Sequence, residues 1–237
     1  MHRFFAEDIG ERVRICGDDF KHISRVLRLK RGDALTLCDG RGMEYEARIE
    51  AIEADAALCR VGSARPAGTE PPCRVTLCQC LPKGGKLETV IQKCTELGVY
   101  AVQPVLSRRC VSVPADFSKR LPRLNRVACE AAKQSRRGLL PEVRPLVPLE
   151  ALRPEDYGCM LVAYEEERAL SLKAVLRGRP MPESAALVIG PEGGFEASEV
   201  GGLTARGAVA VSLGRRILRC ETAGPAMLAQ LLYEAEP

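Results

Sequence analysis

Two short segments hold the residues of this chain whose types and spacing could do chemistry. The first is Gly190-Pro191-Glu192-Gly193-Gly194-Phe195, which follows the apolar run 185–189. The second covers residues 213–223, Leu-Gly-Arg-Arg-Ile-Leu-Arg-Cys-Glu-Thr-Ala. Each is an apolar strand entering a Gly-rich or charged loop. Two such strand ends close in sequence point to a ligand site at the carboxyl edge of a parallel sheet, where glycines let a ligand approach the backbone. The first segment lacks both the Gly-x-Gly-x-x-Gly spacing of a dinucleotide site and the Gly-Lys-Ser/Thr of a P-loop. Pro191 stiffens its turn and removes one N–H donor. A plain tight turn would account for these glycines as well. The second segment is sharper. Arg215, Arg216, Arg219 and Glu221 surround Ile217 and Leu218, a pattern that can line an apolar slot for a nucleobase with charged groups at its mouth. The alternative is a solvated loop that ends in a helix-capping Thr222.

These segments need elements to position them, and the chain has room for one large or two small domains in 237 residues. Hydrophobic residues make up 46% and charged residues 28%, as in ordinary soluble proteins. No apolar run approaches the ~20 residues of a membrane span. Met1-His2-Arg3-Phe4-Phe5 meets Glu7 and Asp8 at once, so no signal-peptide core is expected and a cytoplasmic location is. The 11 cysteines include no Cys-x-x-Cys pair, and there are 2 histidines. No metal site is expected, and most cysteines read as small apolar core residues. Net charge is +4, but residues 73–141 carry 13 basic and 4 acidic side chains. That local excess fits either a surface facing a polyanion or a solvated helix face.

The first 72 residues read as a small β-rich domain. Strands are expected at Arg12–Cys16, 34–39, Met43–Ile52 and 56–62, with Asp39-Gly40-Arg41-Gly42 as a hairpin turn. A short helix, capped by Asp18 or Asp19, would bury Phe20, Ile23, Val26 and Leu27 and expose Lys21, His22, Arg25 and Arg28. Residues 64–73 hold three prolines and a glycine, so the boundary is placed near 72, with a second domain over 73–237. An α/β pattern follows there. It has a strand at 74–81, the loop Pro82-Lys83-Gly84-Gly85, and a helix Lys86–Leu97 stopped by Gly98. Another strand is expected at 99–106. A helix at 119–137 would carry Lys119, Arg123, Arg126, Glu130, Lys133 and Arg137 on one face. Apolar strands at 159–164, 185–189 and 208–213 suit a covered parallel sheet, and an apolar helix is expected at 225–234.

In order and wording these pieces resemble the SPOUT superfamily of trefoil-knotted methyltransferases. More closely, they are similar to the bacterial family that methylates N3 of a uridine in small-subunit ribosomal RNA. The matching residues are Arg3-Phe4-Phe5, His22 with Val26-Leu27-Arg28, Lys86 with Ile91-Gln92-Lys93-Cys94-Thr95-Glu96-Leu97-Gly98, and Lys133-Gln134-Ser135 with Arg137 and Pro141. The match continues at 189–194, at Leu213-Gly214 and at 217–223. Cys220 stands where the family often has Thr, and Gly224-Pro225 interrupt its usual helix start.

The resemblance implies a fold and a reaction. The fold is a small N-terminal PUA-like β-barrel, then an α/β SPOUT domain with a C-terminal trefoil knot. The methyl donor is S-adenosylmethionine, the partner is 16S ribosomal RNA or the small ribosomal subunit, and the assembly is a homodimer with no membrane or metal. The cofactor loops would be Ala163-Tyr164, the stretch Gly190, Pro191, Glu192, Gly193, Gly194, and Leu213, Gly214, Ile217, Leu218, Arg219. Arg219 would stabilise charge developing on the uracil, and Glu221 would take the proton or orient Arg219. Phosphates would meet Arg25, Arg28, Lys83, Lys86, Lys93, Arg123, Arg126, Lys133 and Arg137. Methylation of a ribose 2′-hydroxyl or another RNA base, and a non-catalytic RNA-binding assembly factor, are the competing readings.

Overall fold

The computed structural model describes residues 2–112, 114–178 and 180–236. They divide into two compact units. The first comprises residues 1–70 and 132–140, the second residues 71–131 and 141–237.

The first unit is built on five strands, β1 (Arg3–Phe5), β2 (Arg12–Cys16), β3 (Ala34–Cys38), β4 (Met43–Ile52) and β5 (Ala56–Pro66), in the order β1-β3-β4-β5-β2. Only β1 and β3 pair parallel. Alternate residues of β2 and β4 are buried, the period expected of strands with one covered face. Phe4, Ile15, Leu35, Leu37, Ile49 and Cys59 belong to the core. Asp39 makes the hairpin turn by accepting the amides of Arg41 and Met43.

The helix expected after β2 is only the short α1 (Gly17–Lys21), continued by a π-helical turn over His22–Leu27. Neither aspartate caps α1; both lie in its first turn, and Cys16 is the N-cap. The wider π turn rotates later side chains off a 3.6-residue stripe. Ile23 is therefore buried, whereas Val26, expected inside, is 66% exposed.

In the second unit the strands are β6 (Arg74–Cys80), β7 (Ala101–Leu106), β8 (Glu142–Val143), β9 (Val147–Pro148), β10 (Cys159–Ala163), β11 (Ser184–Ile189) and β12 (Val209–Val211). They run in the order β12-β10-β11-β6-β7-β8, with β9 also against β7, and all pairs are parallel. The helices are α2 (Lys86–Leu97), α3 (Leu121–Gln134), α4 (Leu172–Arg177), α5 (Ala197–Thr204) and α6 (Cys220–Ala235). Strand residues alternate between two cores. Val75, Leu77, Leu161 and Leu187 join residues of α2 and α6 on one face. Cys78, Met160, Val162 and Val188 join Val200 and Leu203 of α5 on the other. A sheet covered on both faces explains why these strands are apolar throughout. From β6 the chain moves outward to β7 and β8; β10, β11 and β12 lie on the other side. The direction switches between β6 and β11, where α/β sheets open a crevice at their carboxyl ends.

The helix expected over 119–137 ends at Gln134. Arg136 then takes a left-handed φ of 61°, and the chain turns back into the first unit. Gly42 donates to the Gly138 carbonyl and Leu140 to that of Gly40. Arg137, expected on a solvent-facing stripe, is only 3% exposed. Its Nη2 and Nε donate to Glu70 at 2.6 and 3.1 Å, and Glu70 also accepts the amides of Gly138 and Leu139. Removing one partner of such a buried pair leaves an unmatched charge. Glu70→Ala should therefore cost about 3 kcal/mol, read as a lower urea midpoint of the full chain; an unchanged midpoint would refute this anchoring role.

Candidate functional site

The loops that follow β6 and β11 meet at the switch point. Glu192, on the loop after β11, accepts the amide of Lys83 at 3.1 Å and Nζ of Lys86 at 2.9 Å. Lys86 opens α2, and its Nζ also lies 3.3 Å from Glu221 in the first turn of α6. One ammonium thus joins three chain segments. The hydrogen bond to Glu192 holds the Lys86 pKa above its ordinary value. Burial alone would raise the Glu192 pKa, but hydrogen bonds from Lys86 and from backbone amides outweigh it and leave it lowered. Glu221 is also held low, first by its own amide at the helix start, then by the Cys220 thiol and Lys86. Both groups are therefore ionised at neutral pH. A carboxylate so stabilised is a weak proton acceptor, which favours an orienting role for Glu221.

Arg219 is the N-cap residue of α6, and its carbonyl accepts the amides of Thr222 and Ala223 at 2.8 Å. Its guanidinium forms no ion pair among the described residues, since Lys86 holds both neighbouring carboxylates. The sequence suggested Glu221 as its orienting partner; the pairing found is Glu221 with Lys86. Arg215, Arg216 and Ile217 are exposed, Ile217 to 88%. Among the described residues, the amides of residues 215–218 make no hydrogen bond. Gly214 donates to Ser212 Oγ at 3.2 Å, and Leu213 and Leu218 are partly buried against the core.

The first and second of the expected cofactor loops lie at neighbouring strand ends. Ala163 ends β10, and the Tyr164 amide donates to the Val211 carbonyl of β12. Pro191 is buried, and its carbonyl accepts the Gly194 amide at 3.0 Å. Gly194 has φ of 68°, and a Cβ there would overlap the Glu165 carboxylate. A Cβ on Gly190 would come within 3.2 Å of the Phe195 ring. The left-handed φ favours glycine at 194, whereas the Glu165 carboxylate, the end of an exposed side chain, could move aside.

Several contributors were missed from the sequence. Arg109 donates to the Gly193 carbonyl at 3.0 Å, and Arg108 pairs with Glu196 at 2.8 Å. Both follow β7, and nothing in their local pattern announces a partner more than 80 residues away. Cys110, next to them, has its pKa brought down to about 6, chiefly by a hydrogen bond from Cys80 and, against the effect of burial, by the Ser107 hydroxyl and amide. It is a thiolate at neutral pH. Iodoacetamide should modify Cys110 ahead of the exposed Cys16 at pH 7, and that lead should vanish below about pH 6. Peptide mass mapping reads the order.

The residues expected to face RNA divide. Arg25 and Arg28 are exposed on the first unit, and Arg126 on α3. Lys93 pairs with Glu96 at 3.0 Å, and Arg123 with Glu88 at 2.9 Å, both at the surface. Lys86 is committed inward. Lys133 is held by Asp19 at 2.6 Å within the first unit, and Arg137 is buried on Glu70. Each of these three is paired with a carboxylate of its own unit. Among the described residues, no group of three His, Cys, Asp or Glu side chains is placed to hold a metal ion, and no helix is long and apolar enough to cross a membrane.

The profiles that match the two units place the chain among RNA-modifying methyltransferases. The sequence profile described as RNA methyltransferase domain matches residues 69–232, and that described as RNA methyltransferase PUA domain matches residues 15–62. The chain belongs to the family of the ribosomal RNA small subunit methyltransferases E. The Bacillus subtilis protein of that name is 34% identical over 250 residues, covering 100% of this chain and 98% of its own. The Synechocystis protein is 36% identical over 216 residues, 89% of this chain and 69% of its own. The crystal structure of the Neisseria gonorrhoeae enzyme, bound to S-adenosyl methionine, superposes with a TM-score of 0.86 at 31% identity, over 98% of this chain and 96% of that one. A Legionella pneumophila methyltransferase, also with its bound cofactor, gives 0.85 at 30% over 97% and 96%.

The Lys86 bridge has a defined pH signature. Both carboxylates are lowered on folding, so the stability they contribute is present above the ordinary carboxylate range and is lost as pH falls through their folded values. Lys86→Met should lower the melting temperature at pH 7, and the gap from the parent protein should close as pH drops below about 4. A gap independent of pH would mean that Lys86 acts through packing alone.

Proposed function

We propose that this protein transfers a methyl group from S-adenosylmethionine to N3 of a uridine in 16S ribosomal RNA. The observation that carries this reading is Arg219, the N-cap of α6, which forms no ion pair among the described residues while Glu221, two residues on, is held by Lys86. The family's match over residues 69–232 spans every loop of the site.

The loops suit an adenosyl group. Gly214 and the free amides of 215–218 offer backbone donors, Ile217 and Leu218 offer apolar surface, and Gly190 and Gly194 leave the backbone bare. When bound, the cofactor supplies an electrophilic methyl carbon. Leu213, Gly214, Ile217 and Leu218 would hold the adenine, and Gly190 would lie near the ribose or methionine portion. Uracil N3 keeps a proton and is a poor nucleophile while it does. A guanidinium facing O2 or O4 stabilises the anion left when that proton passes to solvent water. Arg219 has the free donors for this, and Glu221, fixed by Lys86, keeps the helix start in place. Alignment of acceptor nitrogen with the methyl carbon is then a matter of positioning.

The chain path supports a trefoil knot. β12 lies at the sheet edge beside β10, yet α6, which begins nine residues after β12 ends, packs on β6, β11 and α2 in the middle. Residues 212–219 must carry the chain back past the other loops. The exposed Ile217 and Tyr233 give apolar surface for a second copy, in keeping with a homodimer. The mixed sheet of the first unit fits a PUA-like barrel, and the overall reading fits a cytoplasmic enzyme.

Arg219→Ala should lower turnover by about 10²-fold while the calorimetric affinity for S-adenosylmethionine stays within about threefold. Equal losses in both would make Arg219 a cofactor-holding residue. Mass mapping of small-subunit RNA from cells lacking the protein should show one 3-methyluridine missing. A lost 2′-O-methyl mark with every 3-methyluridine intact would overturn the choice of acceptor.

A further inference from the structure

A second polar cavity lies wholly within the first unit. It has a volume of about 210 Å³ and is lined by Arg3, Thr36, Glu44, Tyr45, Glu46, Arg65 and Arg136. Strand register explains part of the gathering. Arg3 opposes Thr36, Thr36 opposes Glu46, and Glu44 opposes Arg65, so these side chains share one face of the sheet. Arg136 reaches the cavity from the returning segment 132–140. Three arginines from three distant stretches of chain therefore converge on one pocket.

Glu44 organises them. It is buried, and it binds Arg3 Nη2 at 2.7 Å and Arg65 Nε at 2.7 Å. Arg3 is also engaged by Cys38 Sγ and the Arg137 carbonyl. Arg65 uses only its Nε, which leaves both terminal nitrogens of a pre-oriented fork open. The Arg136 side chain makes no hydrogen bond or ion pair among the described residues and the residue is exposed; its amide donates to the Lys133 carbonyl at 3.3 Å. Its backbone is left-handed, with φ of 61°. A side chain other than Gly, Asn or Asp is costly there, and this one extends a guanidinium into the cavity. Two free planar forks suit a phosphodiester, which accepts bidentate hydrogen bonds. Thr36 can donate or accept, and the Glu46 carboxylate accepts only. A ribose hydroxyl is the natural complement of such an acceptor, and its 2′ group distinguishes RNA.

We infer that this cavity is an RNA-backbone subsite in which Arg65 and Arg136 grip one phosphate and Thr36 and Glu46 receive the adjoining ribose. The inference rests on the reading above that RNA is the substrate, and it adds a contact made by the first unit.

The test measures binding of fluorescein-labelled oligouridylate to the full-length protein, to Arg136→Gly and to Arg65→Gln, across a salt series. Each variant should bind about tenfold more weakly, with the salt slope reduced by about 0.7. Arg136→Gly should melt at the same temperature or higher, because glycine relieves the backbone at that position. Its affinity for S-adenosylmethionine should not change. Oligodeoxythymidylate of equal length should bind the parent protein less well. Parent-like binding by Arg136→Gly, a fall in its melting temperature alongside its binding, equal affinity for the DNA, or no binding of oligouridylate by the parent protein would each overturn the inference. Methyl transfer to small-subunit RNA is read separately. Transfer with unaltered variant binding would sink the subsite alone, and arginine-dependent binding without transfer would sink the reaction alone.

Discussion

A single ammonium at the switch point holds the site of the second unit together. Lys86 is the first residue of α2, Glu192 follows β11, and Glu221 opens α6. None of these segments is near another in sequence, and each borders a different element. Without a cation between them, two carboxylates would face each other at the mouth of the crevice, and like charges at short range repel. Their neutralisation leaves Arg219 without an ion pair among the described residues, although its own loop carries an acidic neighbour. The electrostatic character of the site therefore comes from a residue on another helix.

That division of roles also separates what was readable in the sequence from what was not. The helix Lys86–Leu97 was legible to the residue, because apolar side chains recur at helical spacing and Gly98 ends it. So was β4, Met43–Ile52, from its alternation and its turn. Five strands of the parallel sheet announced themselves as short apolar runs, whereas the two-residue β8 and β9 did not, and the two loops at 190–195 and 213–219 stood out by composition. The roles of charged residues were another matter. Lys86 sits on a helix with an otherwise ordinary polar face, and nothing local distinguishes it from Lys93, which pairs along its own helix with Glu96.

The basic stripe of α3 carries the same lesson. Lys119, Arg123, Arg126, Lys133 and Arg137 are evenly spaced in the sequence, and helical periodicity treats them alike. The fold does not. Lys133 answers Asp19 from 114 residues away and Arg137 answers Glu70 from 67 away. Such pairings depend on where the chain leaves the helix, and the left-handed turn at Arg136 is set by tertiary contacts rather than by propensity. Val26 was misplaced for a related reason: one wide turn in the backbone shifts every later side chain, and a periodic reading carries no memory of it.

The return of residues 132–140 to the first unit has a consequence for how the protein is made. A ribosome releases the chain from its amino end at about 5–20 residues per second. The strands through Pro66 emerge well before Arg137 does. For an interval on the order of several seconds, Glu70 waits without its guanidinium. During it, the turn at residues 40–42 lacks the segment that later hydrogen-bonds to it. The nascent small unit is therefore an unfinished one, and its completion is tied to synthesis of more than half of the chain.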